Sequence, residues 1–95
     1  MPWFILIGHD GPRGLELRQQ HRPAHLAGLE PLDRAGRIRH AGPILGDDGA
    51  PQGSVVVFEA ESLAEARTIA ARDPYVTEGI FARYEVRETS PVFPR

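Results

Sequence analysis

Apolar residues recur along the chain with two periods, one typical of strands and one typical of helices. Short apolar stretches predict β-strands over Trp3–His9, Arg37–Leu45, Ser54–Ala60 and Gly79–Arg87, and the last of these shows the alternation typical of a strand. The second of these contains Gly42-Pro43, and because proline has no amide for a β ladder, we expect this strand at an edge or a bulge. Residues 46–53 between the second and third strands are polar and glycine-rich, which predicts a turn.

The longer of two helical patterns begins near residue 15, with leucines that form an apolar stripe. Pro23 suits the first turn of a helix better than its interior, because proline has no amide and crowds the preceding turn. We therefore expect a helical turn over residues 15–20 and a main helix from about Arg22. Pro31 should kink this helix, and Gly36 is the residue type expected just beyond its C-terminus.

The second helical pattern is the clearest in the sequence. Ser62 and Glu65 have the spacing of a capping box, in which a hydroxyl and a carboxylate bind free amides of the first turn. The helix should end at Asp73, because Pro74 forces the preceding residue out of the helical conformation. A carboxylate at a helix C-terminus is unfavourable by roughly 0.3–1 kcal/mol. Asp73 should therefore have a partner or a chemical role, unless the Asp-Pro pair only starts a turn in water.

The order strand–helix–strand–strand–helix–strand predicts an α+β protein with the ferredoxin-like split β-α-β fold. Its antiparallel four-stranded sheet would carry both helices on one face. The first and third strands are apolar on both faces, so the uncovered face indicates an association surface. We predict a homodimer through this open sheet face. Residues 1–95 should form one domain, with a core over 1–88 and an extended tail over 89–95.

Composition excludes several classes of function. The 95 residues carry 11 basic and 13 acidic side chains without a basic block, so we expect neither nucleic acid nor an anionic membrane as a partner. No apolar run has the length of a membrane span, and the N-terminus is interpreted as a strand, so a cytoplasmic protein is expected. The chain has no cysteine, and all its side-chain cations are arginine. Thiolate chemistry and lysine Schiff bases are therefore excluded.

Few motifs suggest a bound metal or cofactor. His21 and His25 are four residues apart, as metal ligands on a helix would be, but the glutamate of a zinc protease is missing and Pro23 lies between them. Ser54 lacks the flanking motif of a nucleophilic serine, although beside Gly53 its hydroxyl suits an anion. No phosphate-binding glycine loop occurs. We expect no metal and no cofactor.

A histidine and a carboxylate remain as candidates for chemistry. In a split β-α-β fold the two helices lie side by side, which would bring His25 on the first helix towards Asp73 at the end of the second. A carboxylate that fixes the imidazole tautomer gives the minimum equipment for acid–base catalysis near neutral pH. A purely structural buried hydrogen bond is the alternative.

Several motifs in order resemble one known family: the arginine–histidine segment, Ala41-Gly42-Pro43, Asp47-Asp48-Gly49, Gly53-Ser54, Glu61-Ser62-Leu63, Asp73-Pro74-Tyr75 and Gly79. Over roughly residues 3–88 the chain resembles the YciI-like (YCII-related) family. The resemblance implies a dimeric ferredoxin-like α+β barrel and an active-site histidine–aspartate pair, which falls on His25 and Asp73. Relatives in chloroaromatic degradation and the wider superfamily suggest lyase, isomerase or dehydrochlorinase chemistry.

Our first hypothesis is a small cofactor-independent enzyme that acts on a small, oxygenated, anionic molecule. His25 would be the general base or acid, and Asp73 would orient it. The residues expected to bind substrate are Arg18, Arg22, Ser54 and Tyr75; the two guanidinium groups suit a carboxylate or phenolate. The second hypothesis is a non-catalytic module, binding or regulatory, in which the same dimeric pocket holds a small anion.

Overall fold

A computed structural model describes all 95 residues. The elements in chain order are β1 (Trp3–Asp10), α1 (Gly14–Arg34), β2 (Ile38–Leu45), β3 (Pro51–Glu59), α2 (Leu63–Arg72), α3 (Pro74–Thr77) and β4 (Phe81–Thr89). The four strands form one sheet in the order β2-β3-β1-β4, and every neighbouring pair is antiparallel. The predicted ferredoxin-like α+β fold is confirmed, with β2 at an edge as Pro43 indicated.

The hydrophobic core lies between the sheet and the helices. Its largest side chains come from the two central strands, Phe4 and Leu6 from β1 with Val56 and Phe58 from β3. Side chains of this size each contribute about 1.5–3 kcal/mol when fully buried. The small residues Ala66 and Ala70 of α2 cover them. The helices cover the face that carries these side chains, and buried and half-buried positions therefore alternate along β1 and β3.

The first helix differs from the expectation of a separate turn before Arg22. α1 is continuous from Gly14 to Arg34 and includes both Pro23 and Pro31. Pro23 is exposed, so water can solvate the carbonyl that its missing amide leaves free, while the opposite face of the helix is held by packing. Tertiary packing thus outweighs the local penalty.

The predicted C-terminal glycine of α1 is confirmed. Gly36 has φ +71, a left-handed conformation that glycine adopts without strain. Its amide donates to the carbonyl of Asp33, and the amide of Arg37 donates to that of Leu32. These two bonds form a Schellman motif, which satisfies the last carbonyls of the helix.

The second helix begins as predicted. Ser62 is the N-cap, and its hydroxyl accepts a hydrogen bond of 3.1 Å from the amide of Glu65. The carboxylate of Glu65 reaches back one residue further than expected, since it accepts from the amide of Glu61 at 3.3 Å. It also contacts Arg37, which ties α2 to the segment before β2.

The start of β3 and both ends of β4 differ from the prediction by two or three residues, and the structure contains a short helix that the sequence did not predict. β3 begins at Pro51 and not at Ser54, because the ladder with β2 extends to the pair Leu45–Pro51 even though the intervening residues are not hydrophobic. The short helix α3 lies where only a connection was expected. β4 begins at Phe81 and includes Thr89; Gly79, predicted as its first residue, forms a turn with φ +72.

The open face of the sheet has no second layer over it in this chain. Ile5 and Ile7 of β1 lie beside Val55 and Val57 of β3, and all four side chains are half-buried. On β4 this face becomes charged, with Arg83, Glu85 and Arg87 beside β1. An apolar centre with a charged edge is the surface on which the dimer prediction rests. None of the helices has both the length and the apolar character needed to cross a bilayer.

Candidate active site

The structure brings His25 of α1 and Asp73 together. The Nδ1 atom of His25 lies 2.8 Å from Oδ1 and 2.9 Å from Oδ2 of Asp73. Both side chains are about nine-tenths buried, with exposures of 10% and 8%. A carboxylate can only accept a hydrogen bond, so Nδ1 carries a proton. In a neutral ring the lone pair therefore lies on Nε2.

Asp73 joins two helices. It is the C-cap of α2 and the N-cap of α3, and its Oδ1 accepts a hydrogen bond of 2.8 Å from the amide of Tyr75. The unfavourable position at the end of α2 is thereby offset by the first turn of α3 and by His25. Pro74 occupies the first position of α3, where a missing amide costs nothing. The Asp-Pro-Tyr sequence thus fixes the direction of the carboxylate.

Tyr75 lies against the histidine. The two rings are stacked with an interplanar angle of 2° and centroids 3.9 Å apart. The guanidinium carbon of Arg18 lies 4.9 Å from the centroid of the Tyr75 ring, and Phe81 packs edge-on against the same ring. Burial raises the pKa of the Tyr75 phenol, and the charges of Arg18 and Arg22 oppose this effect in part. The phenol therefore stays neutral around pH 7 and can donate a hydrogen bond.

Asp10, at the end of β1, binds Arg18 and is not among the residues predicted from the sequence. Its carboxylate accepts hydrogen bonds of 2.6 and 2.9 Å from Nε and Nη2 of Arg18, and Nη2 also donates to the Ser54 hydroxyl at 2.9 Å. A guanidinium left buried without such a partner would cost several kcal/mol. The glycine at position 14 is the trace of this contact in the sequence, because a Cβ there would lie 2.6 Å from an oxygen of Asp10. The separation of Asp10 and Arg18 in the sequence does not by itself reveal that they are in contact.

A cleft of about 300 Å³ lies between α1 and the β2–β3 side of the sheet. It is lined by all the residues expected to bind substrate and by the candidate base: Arg18, Arg22, His25, Ser54 and Tyr75. Arg22 is exposed and forms no ion pair within the chain. Asp73 lies beside His25 and does not itself line the cleft.

The remaining histidine of α1 lies apart from this arrangement. His21 approaches Glu78 at 4.0 Å and does not line the cleft. No group of three or more histidine, cysteine, aspartate or glutamate side chains is placed to hold a metal ion. The chemistry available to the cleft is that of an imidazole oriented by a carboxylate, a neutral phenol, a hydroxyl and two guanidinium groups.

Comparisons with known proteins agree with this fold over nearly the whole chain. The sequence profile of the YCII-related domain matches residues 1–90. The chain is 38% identical to Protein YciI of Escherichia coli O6:H1 over an alignment of 96 positions, which covers 95% of this chain and 98% of that protein. It is also 40% identical over 72 residues to the derivative of benzaldehyde biosynthesis cluster protein C of Emericella nidulans, covering 68% of this chain and 74% of that one.

A solved structure gives the comparison most relevant to chemistry. TftG of Burkholderia phenoliruptrix AC1100, a 5-chloro-2-hydroxyhydroquinone dehydrochlorinase, was solved in complex with 2,5-dihydroxybenzoquinone. It superposes with a TM-score of 0.83 and 35% sequence identity, covering 93% of each chain.

Proposed function

The chain belongs to the YCII-related domain family, and from that premise we propose that it is a small cofactor-independent lyase or isomerase that acts on a small oxygenated anion. The observation that carries the proposal is the hydrogen bond between His25 and Asp73 at the wall of a cleft that also contains an unpaired arginine. The likeness to TftG supports lyase chemistry of the dehydrochlorinase type.

His25 would move the proton. Its Nε2 lone pair takes a proton from carbon or oxygen of the substrate, and the electron pair of the broken bond forms a new double bond. In an elimination the electrons leave with a group such as chloride at the far carbon. In an isomerisation His25 returns the proton to another atom. Asp73 would hold the ring in one tautomer and stabilise the imidazolium that forms between these steps.

The anionic end of the substrate is assigned mainly to Arg22. Arg18 uses Nε and Nη2 on Asp10 and Ser54, so its charge is largely neutralised and only Nη1 lacks a hydrogen bond within the chain. Arg22 lines the same cleft without such a partner. A guanidinium binds a carboxylate or phenolate in a bidentate manner. The hydroxyls of Ser54 and Tyr75 would complete the contacts to substrate oxygens.

The test is a screen of chlorinated hydroxyquinols and hydroxylated lactones, with chloride release or absorbance as the readout. For a substrate that is turned over, His25→Gln should lower kcat/KM by about 10²–10⁴, the range that general acid–base catalysis contributes. His21→Gln is the matched control on the same helix and should leave the rate unchanged. Turnover that survives His25→Gln would refute the acid–base role.

The binding module remains the second candidate. The burial of both members of the His25–Asp73 pair favours it, because a static structural hydrogen bond needs no access to solvent. In that case small aromatic carboxylates would bind to wild type and to His25→Gln with similar affinity, and no member of the screen would be consumed. Loss of binding in Arg22→Gln is expected under both candidates, so this variant tests the anion site alone.

We also propose that the functional unit is a homodimer formed through the open sheet face. The apolar side chains of β1 and β3 on that face support this assembly. Burial of the two sheets against each other would give each a second layer, which a sheet that is apolar on both faces requires.

A further inference from the structure

A second cavity borders the His25–Asp73 pair, between α1, α2 and the sheet. Its volume is about 180 Å³, and its walls are mostly apolar, with Leu29 and Leu32 from α1, Ile69 from α2 and Phe58 from the sheet. His25 lines both this cavity and the cleft. The same imidazole therefore borders both the cleft, where Arg22 is unpaired, and a mostly apolar space, where the exposed Arg72 at the end of α2 is the one cation among the lining side chains besides the imidazole itself.

Small residues on the two helices leave this space open. Gly28 of α1 and Ala70 of α2 both line it. A Cβ added at Gly28 would have no heavy atom within 4 Å, so a side chain fits there without a clash. Atoms that line an unfilled space lose the dispersion contacts they would otherwise make. The two helices therefore leave the space next to the His25–Asp73 pair unfilled by side chains.

We propose that this cavity is a second substrate subsite, which takes an uncharged ring or a hydrocarbon group of similar size while the cleft holds the anionic end of the same molecule. This inference rests on the proposed function, since it places the reacting atoms beside His25, between the two subsites. The substrate class becomes an amphipathic one: a small oxygenated anion with an apolar arm.

The volume sets the size of the arm. An apolar cavity of about 150 Å³ is known to bind benzene and to stay dry otherwise. A cavity of about 180 Å³ accordingly has room for one six-membered ring. A carboxylate would be less favourable here than in the cleft, because it would lie beside the carboxylate of Asp73 among mostly apolar side chains, and Arg72 is exposed to water, which weakens its attraction for an anion. The charge of the substrate belongs in the cleft with Arg22.

Methyl NMR can detect the subsite directly. The chain has isoleucines at positions 5, 7, 38, 44, 69 and 80, and δ1-methyl labelling reports on each. Toluene, which has a ring and no charge, should shift the methyl signal of Ile69 and leave that of Ile5 on the open sheet face unchanged. Gly28→Leu should fill the cavity and weaken this binding by at least about tenfold, or 1.4 kcal/mol. Gly28→Ala is the matched control, because it adds a helix-favouring residue without filling the space.

The outcomes separate this inference from the proposed function. Toluene that fails to shift Ile69 in wild type, or shifts it equally in Gly28→Leu, would overturn the subsite whatever the enzyme does. Benzoate, with a ring and a carboxylate, should bind more weakly in both Gly28→Leu and Arg22→Gln, whereas toluene should lose affinity only in the former. A failure of catalysis in the substrate screen would leave the toluene result standing, since binding of an uncharged ring needs no proton transfer.

Discussion

At the scale of single residues, two carboxylates hold the site from opposite ends. Asp10 binds Arg18, Arg18 lies over Tyr75, Tyr75 stacks on His25, and His25 binds Asp73. Each contact restricts the orientation of the next side chain in this series. A side chain held in this way loses little further entropy when a substrate binds, which is how a preorganised site gains rate and affinity.

The ionisation of Tyr75 tests the burial of this stack. Burial raises its pKa, so the folded state binds the phenol proton more tightly than the unfolded chain does. The stability from this group is complete below the ordinary tyrosine value of about 10 and is lost as the pH rises through the higher pKa of the folded state. In Tyr84→Phe, which leaves Tyr75 as the only tyrosine, phenolate absorbance should appear above that ordinary value. Ionisation at or below it, with the circular dichroism still native, would contradict the buried stack.

At the scale of elements, α1 determines the shape of the site. It presents Arg18, Arg22 and His25 to the cleft while its continuity through Pro23 keeps these side chains in one helical register. The spacing of four and three residues places them on one face only if the helix is unbroken. The continuous helix is therefore a condition for the cleft, although proline chemistry argued for a helix that begins later.

Two glycines of α1 should respond to alanine in opposite ways. Gly28 lies within the helix with free space around its Cβ position, so Gly28→Ala should stabilise the protein by about 0.5–1 kcal/mol. Gly36 has φ +71, where a side chain is strained, so Gly36→Ala should destabilise it by about 1–2 kcal/mol. Urea unfolding of the two variants measures both effects against one wild type. If both substitutions changed the free energy of unfolding in the same direction, the backbone conformations of Gly28 and Gly36 would not explain their effects.

At the scale of the whole molecule, the sheet has one covered and one open face. Ile5 lies at the centre of the open face, between Val57 and Arg87 on the neighbouring strands. A small domain has limited buried area of its own, and a second copy over this face would add to it.

Ile5→Arg should dissociate the proposed dimer, because it would bury an unpaired charge opposite Arg87 in each subunit. Ala71→Arg, on the exposed side of α2, is the control and should leave the mass unchanged. Analytical ultracentrifugation should then give two chains for wild type and the control, and one chain for Ile5→Arg. A wild type that sediments as a single chain would contradict the assembly.

The sequence by itself determined the fold class, because apolar periodicity and caps are local signals. The signals are the short apolar runs of β1 and β3, Pro43 in β2, Ser62 before α2 and Gly36 after α1, and each acts within a few residues. The unfavourable position of the Asp73 carboxylate at a helix C-terminus was also visible locally, since the helix end, Asp73 and Pro74 are adjacent in the chain. These signals were enough to place His25 and Asp73 together once the order of elements was known.

Only the tertiary structure decided which arginine is free. Arg18 and Arg22 look equivalent in the sequence, but the strand end at Asp10 and the hydroxyl of Ser54 reach only one of them. The stack of Tyr75 on His25 and the space beside Gly28 likewise depend on where three elements meet. The continuity of α1 through Pro23 belongs with them, because packing along a whole helix outweighs one lost hydrogen bond. Contacts between residues distant in the chain are set by packing, and no local pattern encodes them.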